Sequence, residues 1–282
     1  MQFHKTNAEI YVPDGTAMPE ALARTTRLGI AAHQDDIEIM AMEGILACFQ
    51  KPDQWFSCVI VTDGAGSARE GDYAHYTDAD MMRVRRVEQK KAAMIGEYGA
   101  CVFLDYPSRE IKDGANRNPA EDLKQILETA RPEIVYTHNL CDKHDTHVAV
   151  ALRAIDAIRS LPLEQRPARL LGCEVWRDLD WLPDAKKVVF DVSAHENLSA
   201  ALLGVFDSQI AGGKRYDLAT LGRRRANATY FQSHAVDQAE AIIFGMDLTP
   251  LVTDTSIDPQ EYALSHIRQF EEEVKERFAK LR

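Results

Sequence analysis

The chain has 282 residues, enough for one large α/β domain with a buried core. Its apolar fraction of 45% and charged fraction of 27% are those of a soluble globular protein and exclude a disordered or collagen-like chain. A formal net charge of -11 argues against a nucleic-acid partner, and no apolar run approaches the roughly 20 residues needed to span a bilayer.

Residues 1–26 are polar and carry Pro13, Gly15 and Pro19. They read as an arm lying on the surface or on a neighbouring subunit, without the apolar core of a signal peptide. A repeating pattern then begins. Leu28-Gly-Ile-Ala-Ala32 is a short apolar run, expected to be a buried strand. Residues 37–50 place Ile37, Met40, Ala41, Ile45, Leu46 and Phe49 at helical spacing, and Pro52 ends that helix. A second strand is expected over 56–62, followed by the turn-rich Asp63-Gly-Ala-Gly-Ser67. A long helix is expected over 79–98, a strand over 101–104, and a helix over 119–130 with Pro119 near its start. A fourth strand follows at 134–137 and a helix at 147–160. Beyond this, strands are expected at 174–176, 188–190 and 241–244, and helices at 194–211, 214–229 and 260–281.

Strands alternating with helices imply a Rossmann-like, mostly parallel sheet with helices on both faces. The near-continuous apolar strands agree with burial on both sides. One α/β domain over 27–282 is expected, with helical additions toward the C-terminus. The stripe Leu264, Ile267, Val274, Phe278 and Leu281 on the last helix reads as core or subunit packing, which makes a homo-oligomer plausible. Glu271-Glu-Glu273 sits opposite and would repel anionic lipid. The run Arg223-Arg224-Arg225 reads as a solvated helix face. Five cysteines, at 48, 58, 101, 141 and 173, form no CxxC pair. They read as reduced thiols of a cytoplasmic protein, with Cys48, Cys58 and Cys101 in the core.

In open parallel sheets, ligands bind beyond the C-terminal ends of the strands. Three polar loops fall there: His33-Gln-Asp-Asp-Ile-Glu38, Asp63 to Arg69, and His138 to His147. At a strand-to-helix turn, residues three apart can face the same way, so His33 and Asp36 can share one ion. An imidazole and a carboxylate suit zinc, and His147, at the start of the later helix, completes a catalytic set of three. Such a set leaves a position for water, whose pKa the metal lowers toward ~7. Asp35, adjacent but pointing elsewhere, is placed to take the proton. His144, one turn before His147, is placed as an acid or oxyanion stabiliser. Read separately, the Asp-Asp pair would only cap a helix, and a lone HxxH is weak. Each follows a strand of one expected sheet, and together they favour the metal. The loop Asp63 to Ser67 lacks the Lys and full GxGxxG of a nucleotide cradle.

At these residues the chain resembles the PIG-L/LmbE-like family of zinc-dependent N-deacetylases. The family's AHPDDxE motif is similar to Ala32-His-Gln-Asp-Asp-Ile-Glu38. Its TDG loop corresponds to Thr62-Asp-Gly-Ala-Gly-Ser67, and its R-x-E element to Arg86-Val-Glu88. Its RPD-V-x-TH strand corresponds to Arg131-Pro-Glu-Ile-Val-Tyr-Thr-His138, and its HxDH-like element to His144-Asp-Thr-His147. The likeness runs in order from about residue 28 to 152. It implies one zinc, or another divalent transition metal, on His33, Asp36 and His147. It also implies Asp35 as general base and His144 as the oxyanion-stabilising or acid group. Arg69 stands where the family contacts sugar hydroxyls. Gln34 replaces the usual Pro and gains an amide for substrate contact. Thr146 stands where the family has an Asp that orients a His, leaving Asp145 or Asp142 for that task. The implied reaction is removal of an N-acetyl group from an N-acetylglucosamine-type small molecule. The alternatives are a metal-dependent phosphoester or other amide hydrolase, for which Asp63 and Asp105 offer further carboxylates, and a non-catalytic metal- or sugar-binding relative.

Overall fold

A computed structural model describes residues 1–282. Its first half runs β1 (Glu9–Tyr11), α1 (Glu20–Ala23), β2 (Arg27–Ala31), α2 (Asp36–Met40), α3 (Met42–Cys48), β3 (Phe56–Thr62), α4 (Asp78–Ile95), β4 (Cys101–Tyr106), α5 (Ser108–Lys112) and α6 (Asn118–Ala130). The rest runs β5 (Ile134–His138), α7 (Asp145–Arg159), β6 (Arg169–Cys173), β7 (Lys187–Asp191), α8 (Glu196–Gly204), α9 (Asp207–Ile210), α10 (Tyr216–Tyr230), β8 (Ile242–Asp247), α11 (Thr249–Thr253) and α12 (Pro259–Leu281).

The strands form one sheet in the order β1-β4-β3-β2-β5-β6-β8-β7. β4, β3, β2, β5 and β6 are parallel; β1 at one edge and the β8-β7 pair at the other are antiparallel additions. The expected Rossmann-like α/β architecture is thus the observed one. Side chains alternate across the sheet, and both sides are apolar. Leu28, Ile30, Val59, Val61, Val102 and Leu104 face the layer holding Leu123, Ile126, Val150 and Ile158. Cys58, Ile60, Cys101, Phe103 and Tyr136 face the layer holding Ile37, Ile45, Ala92 and Leu202. Gly29 lets α2 lie close to β2, because a Cβ there would stand 2.7 Å from Ile37 Cδ1.

Order reverses at β2. The chain moves outward through β3 and β4, then returns to place β5 on the other side of β2. The crevice between the C-terminal ends of β2 and β5 is the topological switch point, where such sheets bind ligands.

Several elements differ from the sequence-based expectation. The first 26 residues are not a loose arm: β1 pairs with β4, and Leu22 is fully buried in the core. The 37–50 helix is two, broken where Ala41 leaves helical geometry (φ -110°, ψ 23°). The strand expected at 174–176 lies at 169–173, because Leu170 to Cys173 is the run buried on both faces, and Trp176 belongs to the crevice. On α12 only Ala263 and His266 are buried; Ile267, Phe278 and Leu281 are exposed, so the stripe is not core. No helix is long and apolar enough to cross a membrane.

If residues 1–26 are integral to the core, Leu22→Ala will lower stability by about 2–5 kcal/mol in urea unfolding, the usual cost of a buried cavity. A change within about 0.5 kcal/mol would instead mark a surface arm.

Candidate metal centre

The site is built on the turn from β2 into α2. Asp35 takes a left-handed backbone (φ 95°), a region Asp enters more readily than most residues. Three bonds hold the turn. The His33 N–H donates to Asp36 Oδ2 (2.7 Å), the Asp35 N–H donates to Gln89 Oε1 (3.3 Å), and Arg85 Nη2 donates to the Gln34 carbonyl (2.8 Å). From the neighbouring strand, β5 ends on His138, and α7 opens two residues before His147.

His33, Asp36 and His147 meet at the switch point. His33 Nδ1 lies 3.1 Å from His147 Nε2 and 3.2 Å from Asp36 Oδ2, and the last two atoms are 3.3 Å apart. Ligands about 2.0–2.1 Å from a tetrahedral zinc stand about 3.3–3.4 Å from one another, so this near-equilateral triangle has the size of one face of a zinc site. Three lone-pair atoms converging on one point repel unless a proton or cation lies among them. The potential metal-holding groups around this point are His33 with His144 and His147, and Asp36 with His138 and His147, so the cluster as a whole suits zinc or another divalent metal.

Two further histidines compete as ligands: His144, which groups with His33 and His147, and His138, which groups with Asp36 and His147. The His138 Nε2, however, accepts the Ala32 N–H at 2.9 Å, so that lone pair is engaged and the proton sits on Nδ1. Its ring stacks on His147 at 3.9 Å and thereby positions it. Asp142 stands on the other side of His147, with Oδ2 3.6 Å from Nδ1. Its carboxylate also accepts the His144 N–H (3.0 Å) and the Trp176 N–H (3.1 Å). Of the two acids available in place of the Asp that Thr146 replaces, Asp142 is therefore the one beside the imidazole; Asp145 is exposed.

Burial lowers His33 to about 4, so its imidazole is neutral at neutral pH. For His147 burial also acts downward, but Asp36 and Asp142 outweigh it and its pKa is raised. Asp36 would be raised by burial, yet His147, His33 and His138 hold it far below the carboxylate range. Asp35 is pushed well upward by burial, against the pull of Arg85, whose Nη2 is 3.8 Å from its Oδ1. Two adjacent carboxylates are thus shifted in opposite directions, Asp36 downward and Asp35 upward.

A cavity of 110 Å³ opens over this centre. His33, Asp35, Asp36 and His144 line it, with Ser67, Arg85, Trp176 and Tyr216. Five of the seven site residues expected from sequence therefore meet here. Gln34 and Arg69 stand outside. Gln34 is buried under Gly64, where a Cβ would be 2.4 Å from its Oε1. Arg69 donates to the carbonyls of Ala65 (2.7 Å) and Tyr76 (2.9 Å) and pairs with Asp78, so it fastens its own loop.

The residues that sequence reasoning missed lie on α4 and in the C-terminal half. The buried stripe of α4 is Met81, Arg85, Glu88, Gln89, Ala92 and Ala93. Polar residues at core positions of a helical period are a readable signal, because a buried charge must meet a specific partner. Glu88 accepts both the N–H (2.7 Å) and the Oγ–H (2.6 Å) of Ser208, anchoring α9 and the following loop over the site. The Arg223-Arg224-Arg225 run is not a solvated face. Arg224 is buried and donates to the carbonyls of Glu38 (2.6 Å) and Ile39 (3.2 Å), clamping α10 onto α2.

The model of the family described as PIG-L, GlcNAc-PI de-N-acetylase, matches residues 28–158. No curated protein matches the chain in sequence. Among solved structures, a conserved protein of Thermus thermophilus is similar at 18% identity and TM-score 0.60, covering 83% of this chain and 99% of its own. The N,N'-diacetylchitobiose deacetylase of Pyrococcus horikoshii is similar at 15% identity and TM-score 0.57, over 82% of this chain and 88% of its own. The 4-carboxy-2-hydroxymuconate hydratase of Pseudomonas putida is similar at 17% identity and TM-score 0.57, over 82% and 98%. At such identities the likeness establishes a shared fold.

Elemental analysis separates the two histidine groups. Wild-type protein is expected to carry about one zinc per chain, and His147→Ala to lose it. His138→Asn is expected to keep the metal while losing about 1–3 kcal/mol of stability, because the Ala32 N–H is left without its acceptor. Loss of metal in His138→Asn would move the site to the other group. In denaturant unfolding, Glu88→Ala is likewise expected to cost about 1–3 kcal/mol, since Ser208 loses its acceptor.

Proposed function

We propose that the chain is a zinc-dependent hydrolase that removes an N-acetyl group from an N-acetylglucosamine-type sugar or sugar conjugate. The observation that carries this reading is the triangle of His33, Asp36 and His147, with the buried carboxylate of Asp35 on the adjacent residue. The family model over residues 28–158 and the fold shared with a diacetylchitobiose deacetylase support it.

His33, Asp36 and His147 would hold the ion, Asp36 supplying the anionic ligand. When bound, the ion supplies a Lewis acid and lowers the pKa of water toward ~7. Asp35 receives the water proton as the nucleophile forms. Asp35 then passes that proton to the departing amide nitrogen. His144 lines the cavity, and its Nδ1 has no partner within the protein. It donates to the oxyanion that develops on the acetyl carbonyl. Arg85 holds the turn that carries Asp35 and moderates its charge. Ser67 also lines the cavity, and its buried Oγ lacks a partner, so we assign it as a substrate contact ahead of Gln34 and Arg69.

The test is acetate release from a panel of N-acetylated amino sugars. Asp35→Asn is expected to retain zinc and lose about 10²–10⁴ in kcat, the usual contribution of a general base. Turnover near the wild-type rate in that variant would overturn the assignment of Asp35. A zinc-loaded wild type that releases acetate from no substrate would instead favour a hydration reaction, the activity named for the Pseudomonas putida hydratase of similar fold.

A further inference from the structure

Beside the metal triangle lies a second cavity, of 360 Å³, within the usual size range of a small-molecule site. The two cavities share Ile39, Val175, Trp176, Lys214 and Tyr216, so they form one continuous depression. Residues 174–176 and 214–224 supply most of its wall, outside the segment matched by the family model.

The wall is basic in a chain whose net charge is -11. Lys214, Arg215, Arg223 and Arg224 line it, against one acid, Glu174. Arg215 is paired with Asp217, as the neighbouring Arg225 is with Glu196. Lys214, Arg223 and Arg224 have no carboxylate partner. Arg224 bonds to carbonyls and to Ser199, and Arg223 donates to the Val175 carbonyl. Glu174 is engaged by the N–H groups of Leu179 and Phe244 and by Asn227, and feels Arg223 only at longer range. Lys214 is exposed and stands 5.1 Å from the centre of the Trp176 ring. That ring is stacked against His144 at 6.4 Å and meets Tyr216 edge-on at 6.0 Å. Besides Glu174 and the Asp217 paired with Arg215, Asp35 and Asp36 line the metal end of the depression.

Lys214 and Arg223, without a carboxylate partner and on a concave, aromatic-edged wall that also holds the buried Arg224, raise the local concentration of anions and can hold them by charge-assisted hydrogen bonds. We infer that this cavity is a subsite for an anionic group, carboxylate or phosphate, carried on the amine-bearing part of the substrate. The inference rests on the hydrolase reading for its chemistry but not for its binding. Trp176 offers a face to the sugar ring, Lys214 and Arg223 take the anion, and the acetamide is left at His33, Asp36 and His147. The substrate class is then an acidic amino-sugar conjugate in preference to a neutral oligosaccharide.

Isothermal titration of the zinc-loaded protein with deacetylated products tests this. Glucosamine 1-phosphate and glucosamine 6-phosphate carry phosphate, muramic acid carries a carboxylate, and glucosamine carries no anion. At least one anionic product is expected to bind about tenfold or more tightly than glucosamine, and which one names the group. Lys214→Met, at an exposed position, is expected to reduce that preference about threefold to tenfold, and Arg223→Met to do the same. Equal affinity for all four products, or an unchanged preference in Lys214→Met, would overturn the subsite. Acetate release from the N-acetylated counterparts is scored separately. Acetate without anion preference removes the subsite alone, and anion preference without acetate removes the hydrolase reading alone.

Discussion

The molecule depends on one turn, residues 32–36, at the place where strand order reverses. A strand entering a helix would ordinarily send successive side chains to different sides. Here the left-handed backbone of Asp35 bends the chain so that Asp36 Oδ2 reaches back to the His33 N–H at 2.7 Å. That bond fixes the carboxylate and the imidazole on one point and turns Asp35 away from it. The conformation is costly for a non-glycine residue and persists only where surrounding groups over-determine it. Gln89 on the Asp35 N–H and Arg85 on the Gln34 carbonyl supply that constraint from α4. Gln89 is itself fixed by Glu38, which also accepts the Tyr98 hydroxyl at 2.7 Å.

The C-terminal half completes what the Rossmann-like half begins. Two buried contacts join them at the site: Glu88 on Ser208, and Arg224 on the carbonyls at the end of α2. Both use a charged group against neutral partners. A charge-assisted bond is directional as well as strong, so each contact sets an angle as well as a distance. Through them α9, α10 and the Gly212 to Tyr216 loop are held over the crevice, bringing Trp176, Lys214 and Tyr216 next to His144.

The fold was legible because its strands are short runs that must be apolar on both faces, and any run with that property announces itself. Four of the parallel strands fell where the pattern put them. The fifth did not, because Leu170 to Cys173 is followed directly by Val175 and Trp176, and hydropathy alone does not divide a buried strand from an apolar cavity wall. The candidate centre was legible because residue types that suit a metal stand at telling offsets, as at His33, Asp36 and His147. Its supports were harder to read. His138 ends an otherwise apolar strand, and nothing local tells a ligand from a histidine that accepts the N–H of the adjacent strand. Glu88 was noted only through the Arg86-Val-Glu88 element, and Arg85 and Gln89 were hidden among the many charges of α4, where only the 3.6-residue phase they share with Glu88 marks them as buried. Arg224 was masked by the arginines on either side, since a run of three like charges resembles a solvated face until the helix is docked.

Charge balance ties these features together. Asp35, Asp36, Glu38 and Glu88 are all buried, the first three at the start of α2 and the last on α4. Burial raises Glu38 to about 7, and it also raises Glu88 and Asp35, so three of the four resist ionising. Arg85 and Arg224 are the buried cations facing them, and Arg224 bonds to carbonyls, not to an acid. Isolated buried anions are too costly to keep without compensation. A dication in the His33, Asp36 and His147 triangle would supply two positive charges where the acids converge. It would leave Asp36 fully ionised and draw Asp35 down toward the range of a working base. The same logic explains why the basic wall lies one cavity away. Cations placed among the metal ligands would compete with the ion, whereas beyond Trp176 they can meet an anionic substrate without lowering the site's affinity for the metal.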